Sequence, residues 1–168
     1  MRFVLVSACL LGSPVRYNGS HQLSGSGVLQ RWLSEGRVIA VCPEVSGGFP
    51  VPRPPAEIAG GAGGAKVLAG LAKVFDPHAN DISNAFVNGA RNALQHVQLH
   101  SVRLAVLKEG SPSCGSSYIY DGSFTGVKVP EMGVTAALLV SYGVNVFSEE
   151  QFDEADAFLR ELETSGPT

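Results

Sequence analysis

Charge is what this sequence has least of. Asp, Glu, Lys and Arg make up 16% of its 168 residues and leave a net charge of −3. The twelve Lys and Arg are scattered singly, with no basic run to track a phosphate backbone, so a nucleic-acid partner is not indicated. No apolar stretch approaches the length needed to span a bilayer. Met1-Arg2-Phe3-Val4 leads into an apolar run of strand length, without the extended apolar region and small-residue cleavage site of a signal peptide. A soluble, cytoplasmic protein without a membrane partner is the expectation. Cysteine is scarce too: three residues, separated by 32 and 71 others, fit no disulfide scaffold and no local C-x-x-C metal knuckle.

What the chain does have is apolar bulk and punctuation. Hydrophobic residues reach 45%, which favours globular order, and the length suits one domain, residues 1–168, with a substantial core. The 20 glycines and 10 prolines imply long, shaped loops. Three short apolar runs stand out, and a cysteine follows each. Phe3-Val4-Leu5-Val6-Ser7-Ala8 precedes Cys9, Val38-Ile39-Ala40-Val41 precedes Cys42, and Leu104-Ala105-Val106-Leu107 precedes the loop from Lys108 to Cys114 and Gly115. Such runs suit strands buried on both faces of a parallel sheet. If the strands are parallel, all three thiols lie along one carboxyl edge, where open α/β sheets place their ligands. By spacing alone the plainer reading leads, three unrelated buried small side chains. The shared position behind strands is what argues against it.

Helical spacing of Val28, Leu29, Trp32 and Leu33, closed by Gly36, predicts a helix between the first two strands. A second is predicted from Asp81, its N-cap, through Val97, a third from Gly133 to Tyr142, and a fourth behind a Ser148–Gln151 capping box with a Phe147–Phe152 staple. Val144 to Phe147 is the last strand. Strands and helices alternate, so the fold class is α/β: a three-layer sandwich with a mainly parallel sheet, Rossmann-like or flavodoxin-like. Gly60-Gly61-Ala62-Gly63-Gly64 resembles a phosphate loop only superficially, since Lys66 is followed by Val67 and no Ser or Thr; a mobile connector with no helix behind it is expected. Val67 to Phe75 suggests a short hairpin or edge strand, and Tyr118 to Phe124 a substrate-side flap or short hairpin turning at Asp121-Gly122.

Three thiolates leave a tetrahedral or cubane metal site one ligand short, and an open position marks a catalytic metal. Zinc with three Cys and water is one possibility. An iron–sulfur cubane with one exposed iron as Lewis acid is the other, favoured by the all-thiolate set. Glu44, two residues from Cys42, is a candidate general acid or base, against the plainer surface carboxylate. Ser111 and Ser113 offer hydroxyls for holding substrate or relaying a proton, unless they merely bond their own turn. Arg53 and Glu57 are read as a structural pair across the proline-rich loop. His21 is a possible pocket residue, and His96 with His100 reads as a solvated helix end rather than a metal pair.

Ser7-Ala8-Cys9-Leu10-Leu11-Gly12, then Cys42-Pro43-Glu44-x-x-Gly47-Gly48 with Pro52-Arg53-Pro54-Pro55-Ala56-Glu57-Ile58, then Leu107-Lys108-x-x-Ser111-Pro112-Ser113-Cys114-Gly115, together resemble the family once known only as domain of unknown function 523, whose members are thiouracil desulfidases. Asp81-x-x-x-x-Phe86-x-x-Gly89-Ala90 and Gly133-Val134-Thr135-Ala136-Ala137 also match, so the likeness spans nearly the whole chain. It departs from the family at Glu131-Met132-Gly133, where a more glycine-rich turn is expected. The resemblance implies a [4Fe-4S] cluster bound by Cys9, Cys42 and Cys114, with Glu44 and Ser111 as catalytic polar residues. It implies non-redox hydrolysis of a small thiolated pyrimidine such as 2-thiouracil, giving uracil and hydrosulfide. Longer members with an added domain act on thiolated transfer RNA; this sequence shows neither the extension nor a basic surface, so the free base is favoured. The rival readings are a cluster protein passing sulfur or electrons to a partner, and a metal-free binding module.

Overall fold

The computed structural model describes residues 1–165. The chain opens with β1 (Val4–Ser7), a 3₁₀ turn over Ala8–Leu11, α1 (Gly27–Ser34) and β2 (Val38–Val41). Then come α2 (Pro43–Ser46), β3 (Glu57–Ile58), α3 (Gly64–Leu68), β4 (Val74–Phe75) and the long α4 (Ser83–His100). The second half holds β5 (Leu104–Leu107), β6 (Ile119–Tyr120), β7 (Lys128–Val129), α5 (Val134–Ser141), β8 (Asn145–Ser148) and α6 (Phe152–Thr164).

Four strands form one parallel sheet in the order β2-β1-β5-β8. In β1 successive side chains alternate between the two faces of the sheet, as the pleat requires. Val4 and Val6 pack with Leu29 and Trp32 of α1 and Phe152, Ala155 and Leu159 of α6. Leu5 packs on the opposite side with Leu94 and Val97 of α4 and Ala136 and Leu139 of α5. The three-layer expectation therefore holds. Counting only these four strands, the order is 2-1-3-4, the flavodoxin-like and not the Rossmann-like arrangement. The chain reverses its direction of travel between β1 and β5, so a crevice opens above their carboxyl ends.

Two strands have the predicted bounds, β2 and β5, while β8 runs one residue later than expected. The glycine-rich stretch departs from expectation. It forms a short 3₁₀ turn over Ala59–Gly61 and then α3, whose Val67 is buried with Ile58, Val74 and Val134. The Gly61 amide donates to the Asp121 carbonyl at 2.8 Å and the Gly64 amide to the Met132 carbonyl at 2.7 Å. These backbone bonds dock the segment, and apolar packing around Val67 supports a helix too short to show a period. β3 and β4 pair antiparallel across α3, as do β6 and β7 across a short loop, giving two small two-stranded sheets. Asp81 sits one residue before the cap of α4, its carboxylate accepting from the Ser83 amide at 3.0 Å. The Ser148 amide donates to the Gln151 side chain at 3.0 Å, the backward half of a capping box, but Phe147 stacks on Phe158.

Gly89 decides how close α4 comes to the loop behind β2. A Cβ built there would lie 2.0 Å from the Pro43 carbonyl oxygen, so helix α4 meets the backbone of α2 directly. Alanine normally favours a helix interior over glycine by about 1 kcal/mol. Here the clash outweighs that gain, and Gly89→Ala is expected to destabilise the fold by about 2 kcal/mol, read as a lower urea midpoint at unchanged m value. A midpoint at or above that of the natural chain would refute the close approach.

Candidate active site

The parallel register delivers three sulfurs to one place. Cys9 lies in the turn leaving β1, Cys42 directly after β2, and Cys114 in the loop leaving β5. All three line a cavity of about 500 Å3 at the carboxyl edge, within the range of roughly 300–1,000 Å3 usual for small-molecule sites. Local bonds hold the strand ends in step. The Ser7 hydroxyl accepts the Lys108 amide at 2.9 Å, joining the end of β1 to the end of β5. Pro43 occupies the first position of α2 behind Cys42, which is pre-organised for a helix start. The Ser111 hydroxyl oxygen accepts the amides of Ser113 at 3.1 Å and Cys114 at 2.8 Å, setting the turn that presents the third sulfur.

None of the cysteines is in a disulfide. Burial pushes the Cys9 thiol up to about 11, with Cys42 adding to the rise and Lys108 and Arg16 opposing it. Burial likewise raises Cys42, which the amides of Val45 and Glu44 and the Arg53 guanidinium pull back. Cys114 is raised furthest, by burial and then by the charges of Glu44, Cys42 and Cys9. Three thiols that burial keeps from ionising suit a cationic centre, which compensates the charge as the protons leave. The donor set holds sulfur and no imidazole, the preference of iron–sulfur chemistry. Among the described residues no three metal-binding side chains converge closely enough for a single ion, and a cubane, being wider, does not ask them to.

Glu44 shares the cavity wall with the thiols, its side chain 16% exposed, and pairs with Arg53 through Oε1 and Nε at 3.1 Å. Burial lifts its carboxyl above the ordinary value, and the guanidinium pulls in the other direction. Arg53 also donates to the carbonyls of Val15 at 2.9 Å and Pro50 at 3.2 Å, so one side chain gathers the loops behind β1 and β2. The expected Arg53–Glu57 pair is thus corrected. Arg53 is buried among its Glu44 and carbonyl partners, while the Glu57 carboxylate accepts the amides of Gly122 at 2.9 Å and Phe124 at 3.2 Å.

The two serines part company. Ser111 lines the cavity, whereas Ser113 is fully buried, shares a 2.8 Å hydrogen bond with Thr135, and is absent from the cavity wall. A substrate-holding role for Ser113 is therefore replaced by one of fastening α5 to the Cys114 loop, whose thiol its hydroxyl also touches. His21 is exposed and stays off the wall, its ring nitrogen accepting the Leu23 amide at 3.2 Å. His96 is exposed and His100 packs its ring against Phe3.

Several wall residues escaped sequence reasoning. Lys108 lines the cavity while its ammonium pairs with Glu149 at 2.9 Å. Its place directly behind β5, at the reversal of strand order, was the available signal. The Glu109 carboxylate accepts the amides of Ser116 at 2.7 Å, Ser117 at 2.9 Å and Tyr118 at 3.3 Å. Burial works to raise its carboxyl, but these bonds outweigh it and hold the group below the usual range. Tyr17 was missed as well, whereas Tyr118, Tyr120 and Phe124 line the cavity where the sequence placed a substrate-side flap.

A parallel α/β sheet with three free thiols and an ion-paired carboxylate facing one cavity at its strand-order reversal defines an α/β enzyme framework, with its ligand site at the carboxyl edge. Residues 4–151 match the profile of the 2-thiouracil desulfurase family, and the chain belongs to that family. It is 42% identical over 151 residues to the uncharacterized protein YbbK of Bacillus subtilis (strain 168), covering 90% of this chain and 98% of that one. Among solved structures it resembles the [4Fe-4S]-dependent thiouracil desulfidase TudS, with a TM-score of 0.86 and 44% identity over 95% of this chain and 99% of that one.

Removing Arg53 orphans a buried carboxylate. Arg53→Met is expected to cost about 3 kcal/mol, the lower end for breaking a buried pair, because Glu44 can take up a proton instead. In a Glu44→Gln background the same change should cost well under that, measured by urea unfolding. Equal costs in both backgrounds would mean that Arg53 acts only through the Val15 and Pro50 carbonyls.

Proposed function

We propose that this protein removes sulfur from a small thiolated pyrimidine such as 2-thiouracil, releasing uracil and hydrosulfide by hydrolysis without net redox change. The observation that carries the reading is the meeting of Cys9, Cys42 and Cys114 on one cavity wall beside Glu44. The three cysteines would hold a [4Fe-4S] cluster, supplying an iron without a protein ligand as a Lewis acid for the thiocarbonyl sulfur.

The remaining chemistry falls to the chain's own side chains. Arg53 holds Oε1 of Glu44, which leaves Oε2 to accept a proton from water or return one to a ring nitrogen. Ser111 spends its acceptor capacity on two backbone amides, so its hydroxyl is left with one proton to donate. It therefore orients the substrate as a donor and does not act as a base. Lys108 and Arg16 place positive charge near Cys9, favouring the thiolate. The dispersed basic residues and net charge of −3 support a free base over an RNA substrate, and three free thiols suit action in the cytoplasm. Among the described residues no helix is long and apolar enough to cross a membrane.

Glu44→Gln is expected to keep the iron and sulfide content of anaerobically reconstituted protein while lowering kcat for 2-thiouracil by about 10²–10⁴-fold. Serine in place of Cys9, Cys42 or Cys114 should instead lose the iron itself, seen by metal analysis and visible absorbance. A fully active Glu44→Gln protein removes that carboxylate from the mechanism, and an unchanged iron content in all three cysteine variants removes the cluster.

A further inference from the structure

Among the described residues, three that are not glycine have left-handed backbone: Ala79, Ser101 and Phe124. Ser101 closes α4 and Ala79 sits in a turn capped by Asp76, both small side chains in places where such a conformation is ordinary. Phe124 is different. It is bulky, its φ is 58°, and it lies in the turn between β6 and β7 among the residues lining the thiol-bearing cavity. Glycine or asparagine would serve that turn with less strain.

The surroundings hold the strained residue in place. Oε1 of Glu57, at the start of β3, accepts the amides of both Gly122 and Phe124. The Gly61 amide donates to the Asp121 carbonyl at 2.8 Å, and the Asp121 carboxylate accepts the Ser123 amide at 2.9 Å. The turn is thereby fastened to the β3 segment from both sides. Strain that neighbours over-determine gathers at ligand sites, where placement of a side chain matters more than local comfort.

We propose that Phe124 is a specificity-determining residue whose flat ring stacks on the planar ring of the thiolated base, with Glu57 as its positioning residue. The inference rests on the desulfidase reading above. An aromatic face binds any pyrimidine through its π surface, whatever the pattern of ring substituents. It offers much less to a thiocarbonyl compound without a ring, so the same C=S group is accepted or refused by what surrounds it.

The test uses full-length, cluster-reconstituted protein, with hydrosulfide release from 2-thiouracil and from thiourea followed side by side. Phe124→Leu should raise KM for 2-thiouracil roughly tenfold, keep kcat within about twofold, and reduce the preference for 2-thiouracil over thiourea by the same factor. Phe124→Tyr, which keeps the ring, should behave as the natural protein. Glu57→Ala should reproduce the KM defect, and the double variant Glu57→Ala with Phe124→Leu should be no worse than the poorer single one. Phe124→Gly should raise KM similarly with a Tm at or above the natural value, because the backbone strain is relieved. A KM for Phe124→Leu within about twofold of normal overturns the proposal, as does a Tyr variant as impaired as Leu, an unchanged preference, additive losses in the double variant, or a lowered Tm for Phe124→Gly. If the natural protein releases no hydrosulfide, the desulfidase reading has failed. Calorimetric binding of uracil then judges Phe124 alone: a roughly tenfold weaker affinity in Phe124→Leu supports it, and equal or undetectable binding overturns it.

Discussion

The structure depends on one constraint, the parallel alignment of β2, β1 and β5. Leu5 and Val6 of β1 pair with Ile39 and Ala40 of β2 on one side and with Ala105 and Val106 of β5 on the other. With strands in step and pointing the same way, whatever follows each of them emerges at the same height. A thiol one or two residues beyond β1 and β2 therefore meets one carried back by the loop after β5. Helices on both faces seal the sheet, so the carboxyl edge is where a cavity can open.

The Glu44–Arg53 pair shows how the loops behind those strands are set. Taking two charges out of water costs several kcal/mol per ion, which their attraction repays only partly. Such a pair is weak support for stability, yet Arg53 also reaches the Val15 carbonyl on the loop behind β1 and the Pro50 carbonyl on its own loop. Its five donors can satisfy a carboxylate and backbone oxygens at once, which a lysine could not do in the same geometry. The carboxylate at the cavity wall is consequently placed by a side chain that ties the loops behind β1 and β2 together.

Much of this was legible in the residues because burial writes simple patterns. Leu104–Leu107 is continuously apolar since helices cover both sides, whereas Val38–Val41 has the same character on an edge strand with Ala40 exposed, and the trailing cysteines mark the carboxyl ends. Loop partners were not legible. Arg53 lies four residues from Glu57 and nine from Glu44, yet the turns between the prolines bring it to the more distant carboxylate. Ser111 and Ser113 look equivalent on paper, but their turn points one at the cavity and buries the other against Thr135. The left-handed backbone of Phe124 has no signature, because nothing in a phenylalanine announces it. The glycines before α3 suggested mobility, whereas their amides are tied to carbonyls of distant loops.

The wide separation of the three cysteines has a bearing on biogenesis. A knuckle with adjacent ligands can grip its metal while the rest of the chain is still disordered. Here Cys9 and Cys114 sit beyond the ends of β1 and β5, which pair side by side, so an inorganic guest that needed all three sulfurs would find them gathered only in the assembled sheet. Under the desulfidase reading, loading would follow folding, and a chain that lost its guest would keep a ready-made berth for a replacement.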